Sequence, residues 1–195
     1  MNRFYLRTVN RAALVAACLG SLTITAGLAS ATTLLRMSLV QMAHSARAIV
    51  RARCVSSAPQ WDGGEIWTFT TFETQEVWRG SLSSQFTVRL LGGRMGNLTS
   101  SISGVPRFAA GEEVVLFLEA TRRGDFSIVG WEEGTFRIRR DSRAGDDTVT
   151  EDSAHVSTFN PITRQFEAGG IEREPLRVFR ARIAAMLGAQ TGGMQ

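Results

Sequence analysis

Lysine is absent from this sequence, and cysteine and histidine are represented by two residues each. All 22 basic residues are therefore arginine, which stays protonated at ordinary pH, so the isoelectric point of about 10.3 does not require a large excess of charge. The two histidines, His44 and His155, occur in no His-Glu-x-x-His motif and cannot supply a metalloprotease or a structural zinc site. We predict no metal and no other cofactor.

Acidic residues are missing from the first 31 positions, although three arginines occur there. These arginines precede the uncharged run 12–28, which is followed by Ala29-Ser30-Ala31. A basic start, an apolar middle and small residues at the end are typical of a secretory signal peptide. We predict cleavage after Ala31 and a secreted or periplasmic protein that meets the membrane only through this transient segment.

Two alternatives to a cleaved signal start from the same residues. A membrane-spanning helix would need about 20 apolar residues, and the run 12–28 is shorter and contains glycine and threonine. Val15-Ala16-Ala17-Cys18 is also similar to a lipoprotein box, in which Cys18 would be acylated and kept as a lipid anchor. The lipid anchor is the minor alternative for localisation.

Cleavage would remove one of the two cysteines and three of the arginines. The remaining 19 basic and 18 acidic residues nearly balance, which disfavours nucleic acid as a partner because that function requires a concentrated basic face. Cys54 would be the one cysteine left, so no disulfide can form within a chain, and its apolar strand predicts a buried thiol. We predict a monomer with one domain over 32–188.

The periodicity of apolar residues predicts a mainly β domain between two helices. Ser38 is placed to cap a short first helix, and Leu176, Phe179, Ile183 and Leu187 form the apolar stripe of a terminal helix ended by Gly188. The predicted strands cover 48–55, 66–77, 85–91, 113–119, 126–129 and 135–139. The predicted non-regular segments are a turn over 59–64, a glycine-rich loop over 92–110, a mobile loop over 140–154 and a disordered tail over 189–195.

Three short motifs together resemble a known family. They are the strand Ala48–Val55, the turn Val77-Trp78-Arg79-Gly80 and the strand that begins Gly111-Glu112-Glu113. This succession resembles exported bacterial proteins of unassigned function whose domain is similar to the netrin-like OB barrel of tissue inhibitors of metalloproteinases. The resemblance implies a small OB-like β-barrel of about five strands with a short N-terminal helix and a C-terminal helix.

The same resemblance does not transfer the inhibitory mechanism. The animal inhibitors chelate the protease zinc with a cysteine at the mature N-terminus, where this chain has Thr32. A protease inhibitor without that chelator therefore stays an alternative function. A hydrolase using Asp62, Glu132 or Glu133 is a further alternative, for which no catalytic motif is found, and we assign no catalytic residue.

Arginine and aromatic residues around the glycine-rich loop favour recognition over catalysis. Arg94 and Arg107 lie near the two ends of this loop, Phe108 follows Arg107, and Trp61 lies in the turn before the long second strand. Long loops in compact domains are often functional, and tryptophan and arginine are enriched at binding hot spots. We predict a non-enzymatic binding domain that recognises another exported protein through Arg94, Arg107, Phe108 and Trp61.

Overall fold

The computed structural model describes residues 36–140, 145–160 and 164–191. The predicted signal peptide, its cleavage after Ala31 and the alternative acylation at Cys18 lie outside these ranges. The described residues all belong to one structural unit. Neither helix within them has the length and apolar content that crossing a membrane requires.

The described residues fold mainly into β-strands, as predicted. The helices are α1 (Leu39–Ser45) and α2 (Leu176–Thr191), with a 3-10 helix at Asp152–His155. The strands are β1 (Ala48–Asp62), β2 (Glu65–Arg79), β3 (Gln85–Leu91), β4 (Gly93–Met95), β5 (Leu98–Ser100), β6 (Glu113–Ala120), β7 (Phe126–Ile128), β8 (Thr135–Arg140), β9 (Asp147–Glu151), β10 (Ser157–Asn160), β11 (Gln165–Ala168) and β12 (Glu174–Pro175).

Five strands form a closed ring of pairings in the order β1-β2-β3-β7-β6, with β6 returning to β1. All of these pairings are antiparallel except that of β3 with β7. Side chains inside the ring form a first core that includes Val50, Phe72, Leu90, Leu116 and Ile128. Strands β8, β9 and β12 continue the sheet from β6.

Both helices pack against a second core outside the ring. Strand β6 serves both cores, because Leu116 faces the first and Phe117 the second, which explains its unbroken apolar sequence. Phe179 and Ile183 of α2 are buried in this second core. Helix α1 begins at the predicted cap, where the Ser38 hydroxyl accepts a hydrogen bond from the Gln41 backbone N–H at 3.2 Å.

The predicted turn over 59–64 is wrong, because β1 occupies most of that segment. The strand does not end near Val55 but continues through Pro59 to Asp62, and the turn is reduced to Gly63-Gly64. Pro59 is tolerated because this half of β1 pairs with β2 on one side only, so its missing N–H breaks no ladder bond.

Three further segments are more regular than predicted. The loop expected over 140–154 contains β9 and the 3-10 helix, because Val149 and Glu151 alternate inward within a polar sequence and are buried. The glycine-rich loop over 92–110 contains the β4–β5 hairpin. Helix α2 continues past Gly188 to Thr191, so residues 189–191 are not a disordered tail, and 192–195 lie outside the described residues.

Candidate functional site

The outer half of the β1–β2 hairpin positions the candidate site. Strand β1 pairs with β6 only from Ala48 to Arg53, whereas its pairing with β2 continues to Asp62. The outer half of β1 therefore extends beyond its pairing with β6, while the residues of β2 from Trp67 to Glu73 stay paired with β3. Residues 56–62 of β1 have no paired strand on the side away from β2 among the described residues. The chain after β3 folds back against one face of the hairpin.

One face of this hairpin is lined by alternating residues of β1 and β2. Ser57, Pro59 and Trp61 stand on the same face of β1 because side chains along a strand alternate with a period of two. The residues opposite Pro59 and Trp61 in the register are Thr68 and Ile66. This face continues the inner face of the ring into a region that the first core does not fill.

The β4–β5 hairpin lies against this face because Gly93 allows a close approach. A Cβ atom at Gly93 would lie 2.8 Å from Thr68 Oγ1 and 3.0 Å from Pro59 Cβ, closer than real side chains sit. Thr68 Oγ1 in turn donates a hydrogen bond to the Gly92 carbonyl at 2.6 Å. The glycines of the loop thus bring its backbone down onto the hairpin.

Arg107, near the end of the loop, ties its beginning to β2. Its Nη1 donates hydrogen bonds to Thr68 Oγ1 at 2.9 Å and to the Gly92 carbonyl at 3.0 Å. Phe108, which follows it, is 7% exposed and packs edge-on against Phe72 with ring centroids 5.0 Å apart. Phe108 is therefore mainly a core residue that also lines the site.

These contacts leave a cavity of about 380 Å³, which we call the hairpin groove. Its lining residues are Ser57, Pro59, Thr68, Gly93, Arg94, Thr99, Ser100, Ser101, Arg107 and Phe108. Three of the four predicted binding residues therefore share one cavity. The fourth, Trp61, does not line it but is 52% exposed on the strand face that carries Ser57 and Pro59.

The hairpin groove is cationic. Arg94 is exposed, and its Nε makes one long hydrogen bond, at 3.4 Å, to the Gly96 carbonyl. The hydrogen bonds that Arg107 makes with described residues go to neutral oxygens, those of Thr68, Gly92 and Ser100. Among the described residues, no carboxylate forms an ion pair with either guanidinium, so both can receive an anionic group.

Asp62, a candidate for hydrolytic chemistry, lies on the opposite face of the hairpin. Its Oδ2 forms ion pairs with Arg89 and Arg123, both at 2.5 Å. The Arg89 guanidinium is held over the Trp67 ring, 4.0 Å from its centroid, and is 8% exposed. Two guanidinium groups therefore pair with the Asp62 carboxylate, which holds the end of the hairpin against β3 and the turn at Arg123.

Glu132 and Glu133 lie in the turn before β8, and neither lines the groove. Glu133 is buried; its Oε2 accepts a hydrogen bond from the Met37 backbone N–H at 3.1 Å, and its Oε1 has no hydrogen-bond partner among the described residues. Burial raises the pKa of both carboxyl groups. Among the described residues, no serine, threonine or cysteine side chain is hydrogen-bonded to either carboxyl group.

The raised pKa of Glu133 predicts a pH dependence of stability. The folded state favours the protonated carboxyl, so its contribution is fully present below the ordinary glutamate pKa of about 4.3 and is lost as pH rises through the raised value. Urea unfolding at about pH 4 and about pH 7 should therefore show the wild type losing stability relative to Glu133→Gln.

This comparison cancels the opposite contribution of Glu113. Hydrogen bonding from Arg51 lowers the pKa of Glu113, and that carboxyl is unchanged in both proteins. A difference in unfolding free energy that stays constant with pH, or that moves in favour of the wild type as pH rises, would contradict a buried neutral Glu133.

Cys54 is a buried structural thiol, as predicted. It is 1% exposed within the first core, and burial raises its pKa, which disfavours the reactive thiolate. The described residues contain no group of three or more histidine, cysteine or acidic side chains arranged to hold a metal ion.

Sequence reasoning missed the part of the groove that β1 supplies. Ser57 and Pro59 line the cavity, although Pro59 was assigned to a turn. The signal that could have found them is the alternation of Ser57, Pro59 and Trp61, which continues the pattern of the first strand past the proline. Thr68 was recognised as a strand residue, but its bonds to the loop depend on tertiary contacts.

Comparison with known proteins assigns this chain to no family. No family model matches the chain, and neither a curated protein nor a solved structure matches it.

Proposed function

We propose that this chain is an exported, non-enzymatic binding domain that recognises a carboxylate-bearing segment of another exported protein in the hairpin groove. The observation that carries the proposal is the pair of guanidinium groups, those of Arg94 and Arg107, in one cavity with no carboxylate bound to either among the described residues. Guanidinium groups bind carboxylates through charge-assisted, often bidentate hydrogen bonds, which favours a carboxylate as the ligand.

Export in this proposal depends on the signal peptide predicted from residues 1–31. A secreted or periplasmic domain meets other exported proteins, so the partner is placed in the same compartment. The domain binds as a monomer and needs no cofactor.

The ring of five strands supports an OB-like barrel as the architecture of this domain. A three-strand antiparallel run, closed through one parallel pairing of β3 with β7, is consistent with the netrin-like resemblance. OB barrels bind ligands on the face of their second and third strands and in adjoining loops. The hairpin groove includes Thr68 of β2, and its other lining residues come from β1 and from the loop that follows β3.

Apolar surface beside the two arginines supports a protein segment as the ligand. Pro59 and Phe108 line the groove, and Trp61 is exposed on the same strand face as Pro59. Tryptophan and arginine supply much of the binding energy in protein interfaces. A segment that combines an acidic residue with an apolar one would contact both kinds of surface.

Arg94→Glu is expected to weaken binding without affecting the fold, because Arg94 is exposed and makes one long hydrogen bond. Random peptides displayed on phage would be selected on the purified protein, and the affinity of the enriched sequences measured by calorimetry. We expect acidic peptides that bind the variant at least about tenfold more weakly, a change of about 1.4 kcal/mol.

Arg122→Glu is the matched control, because Arg122 is also exposed but lies in the turn between β6 and β7. It changes the net charge by the same amount and should leave the affinity unchanged. Enriched peptides without acidic residues, or equal weakening by both variants, would contradict recognition in the hairpin groove.

A further inference from the structure

The outer half of β1 leaves one edge of the sheet open. Glu112 and Gly111 make the last backbone hydrogen bonds on that side, both with Cys54, at 2.8 Å each. Beyond this point no strand in the described ranges pairs with the segment 56–62 on the side away from β2. This edge adjoins the hairpin groove, because Ser57 and Pro59 belong to both.

The geometry of the hairpin fixes which backbone groups point outward. Asp62 and Glu65 flank the two-residue turn, where the closing pair is hydrogen-bonded, so every second residue back from Asp62 bonds to β2. Ser57, Pro59 and Trp61 therefore direct their backbone groups away from β2. Ile66, the residue opposite Trp61, confirms this alternation. Its carbonyl points away from β1 and accepts a hydrogen bond from the Gly92 N–H on the β3 side at 2.7 Å.

The open edge can pair with another strand. It presents the N–H groups of Ser57 and Trp61 and three carbonyl groups, while Pro59 has no N–H to offer. Natural proteins protect exposed edges with charged residues, bulges or proline. The sequence from Ser56 to Trp61 contains no charged residue, and most of its side chains are exposed. Proline is the one such device within it, and it leaves two N–H donors available.

We propose that the partner binds as an extended segment that adds a strand to the open edge of β1. This inference rests on the proposed function and specifies how the ligand is presented. Side chains of an added strand alternate between two faces, so every second one would stand beside Ser57 and Pro59, on the side of the groove. Carboxylates at those alternate positions would reach Arg94 and Arg107.

Charge complementarity selects an acidic segment over a second copy of this chain. Two copies paired through the same edge around a two-fold axis would place both pairs of guanidinium groups on one face of a joint sheet. Like charges there would oppose association, whereas an acidic strand would be attracted.

Hydrogen exchange of the full protein tests the proposal, with the synthetic peptide Thr-Glu-Val-Glu-Val-Glu-Val-Thr as the probe. In the free protein the amides of Ser57 and Trp61 should exchange rapidly, whereas those of Ala58 and Gln60, bonded to β2, should be protected. Bound peptide should slow exchange at Ser57 and Trp61 by at least about tenfold. The same peptide with lysine for glutamate should give no such protection.

Backbone methylation of the probe provides an independent readout. Alternate amides of an added strand face the edge, so N-methylation of either the three glutamates or the three valines should abolish binding, while methylation of the other set should not. If both methylated peptides bind like the parent, or neither binds, strand addition is wrong.

Failure of this proposal is distinguishable from failure of the proposed function. Binding of the acidic probe that is lost in Arg94→Glu, but leaves Ser57 and Trp61 unprotected, would overturn strand addition and leave the groove as the binding site. Selected peptides that bind independently of Arg94 would overturn the groove. A concentration-dependent dimer that protects the same two amides without peptide would identify a second copy as the occupant and overturn the proposal.

Discussion

Replacing Phe179 by alanine is expected to lower the free energy of unfolding by about 3–5 kcal/mol. The Phe179 ring is fully buried between α2 and the sheet, with centroids 4.8 Å from Phe136 and 6.0 Å from Trp78. Alanine would leave a cavity in the second core that these rigid aromatic rings cannot fill. Urea denaturation followed by tryptophan fluorescence would measure the loss.

Val178→Ala is the matched control for this substitution. Val178 is the preceding residue of the same helix, is 46% exposed, and should change stability by no more than about 0.5 kcal/mol. If Phe179→Ala were as stable as Val178→Ala, the packing of α2 on the sheet would be wrong.

Gly80→Ala is expected to destabilise the protein by about 2–5 kcal/mol. Gly80 directly follows β2 with a φ of +80°, and an added Cβ would lie 2.5 Å from the Arg47 carbonyl oxygen. That oxygen cannot easily move, because the Arg47 N–H is bonded to the Leu118 carbonyl at 2.6 Å and Ala48 is buried in the first core. Left-handed strain and a backbone clash therefore act together.

Gly124→Ala separates these two effects. Gly124 has a φ of +87°, and an added Cβ would meet no atom within 4 Å. The left-handed conformation alone should therefore lower the free energy of unfolding, by about 1–2 kcal/mol. Thermal unfolding of both variants would show the difference. Equal losses would mean that the segment around Arg47 does not press against the turn at Gly80.

Local patterns were sufficient to locate an element where apolar residues mark its buried face. Strand β3 was predicted with the observed bounds because Phe86, Val88 and Leu90 alternate with polar residues, and α1 was found from Ser38 and its apolar spacing. Strand β9 was missed because the buried Glu151 reads as a surface residue. Its burial is possible because Arg36, Ser153 and the Ile171 backbone N–H all bond to its carboxylate.

The candidate site was predicted in part. Arg94 and Arg107 were selected for their residue type beside a long glycine-rich loop, and the structure places both in the hairpin groove. Phe108 was selected on the same grounds, yet most of its surface contacts the first core. Composition identifies residues able to bind a partner, but which side of such a ring faces solvent depends on neighbours distant in sequence.

The sequence by itself determined the mainly β class, the two helices and the burial of Cys54, because these depend on periodicity and caps within short segments. Only the tertiary structure decided that β1 continues past Pro59, that the loop after β3 lies on the hairpin, and that one strand edge stays open. These features depend on register and on contacts between residues far apart in the chain, such as Arg107 with Thr68, which no local pattern encodes.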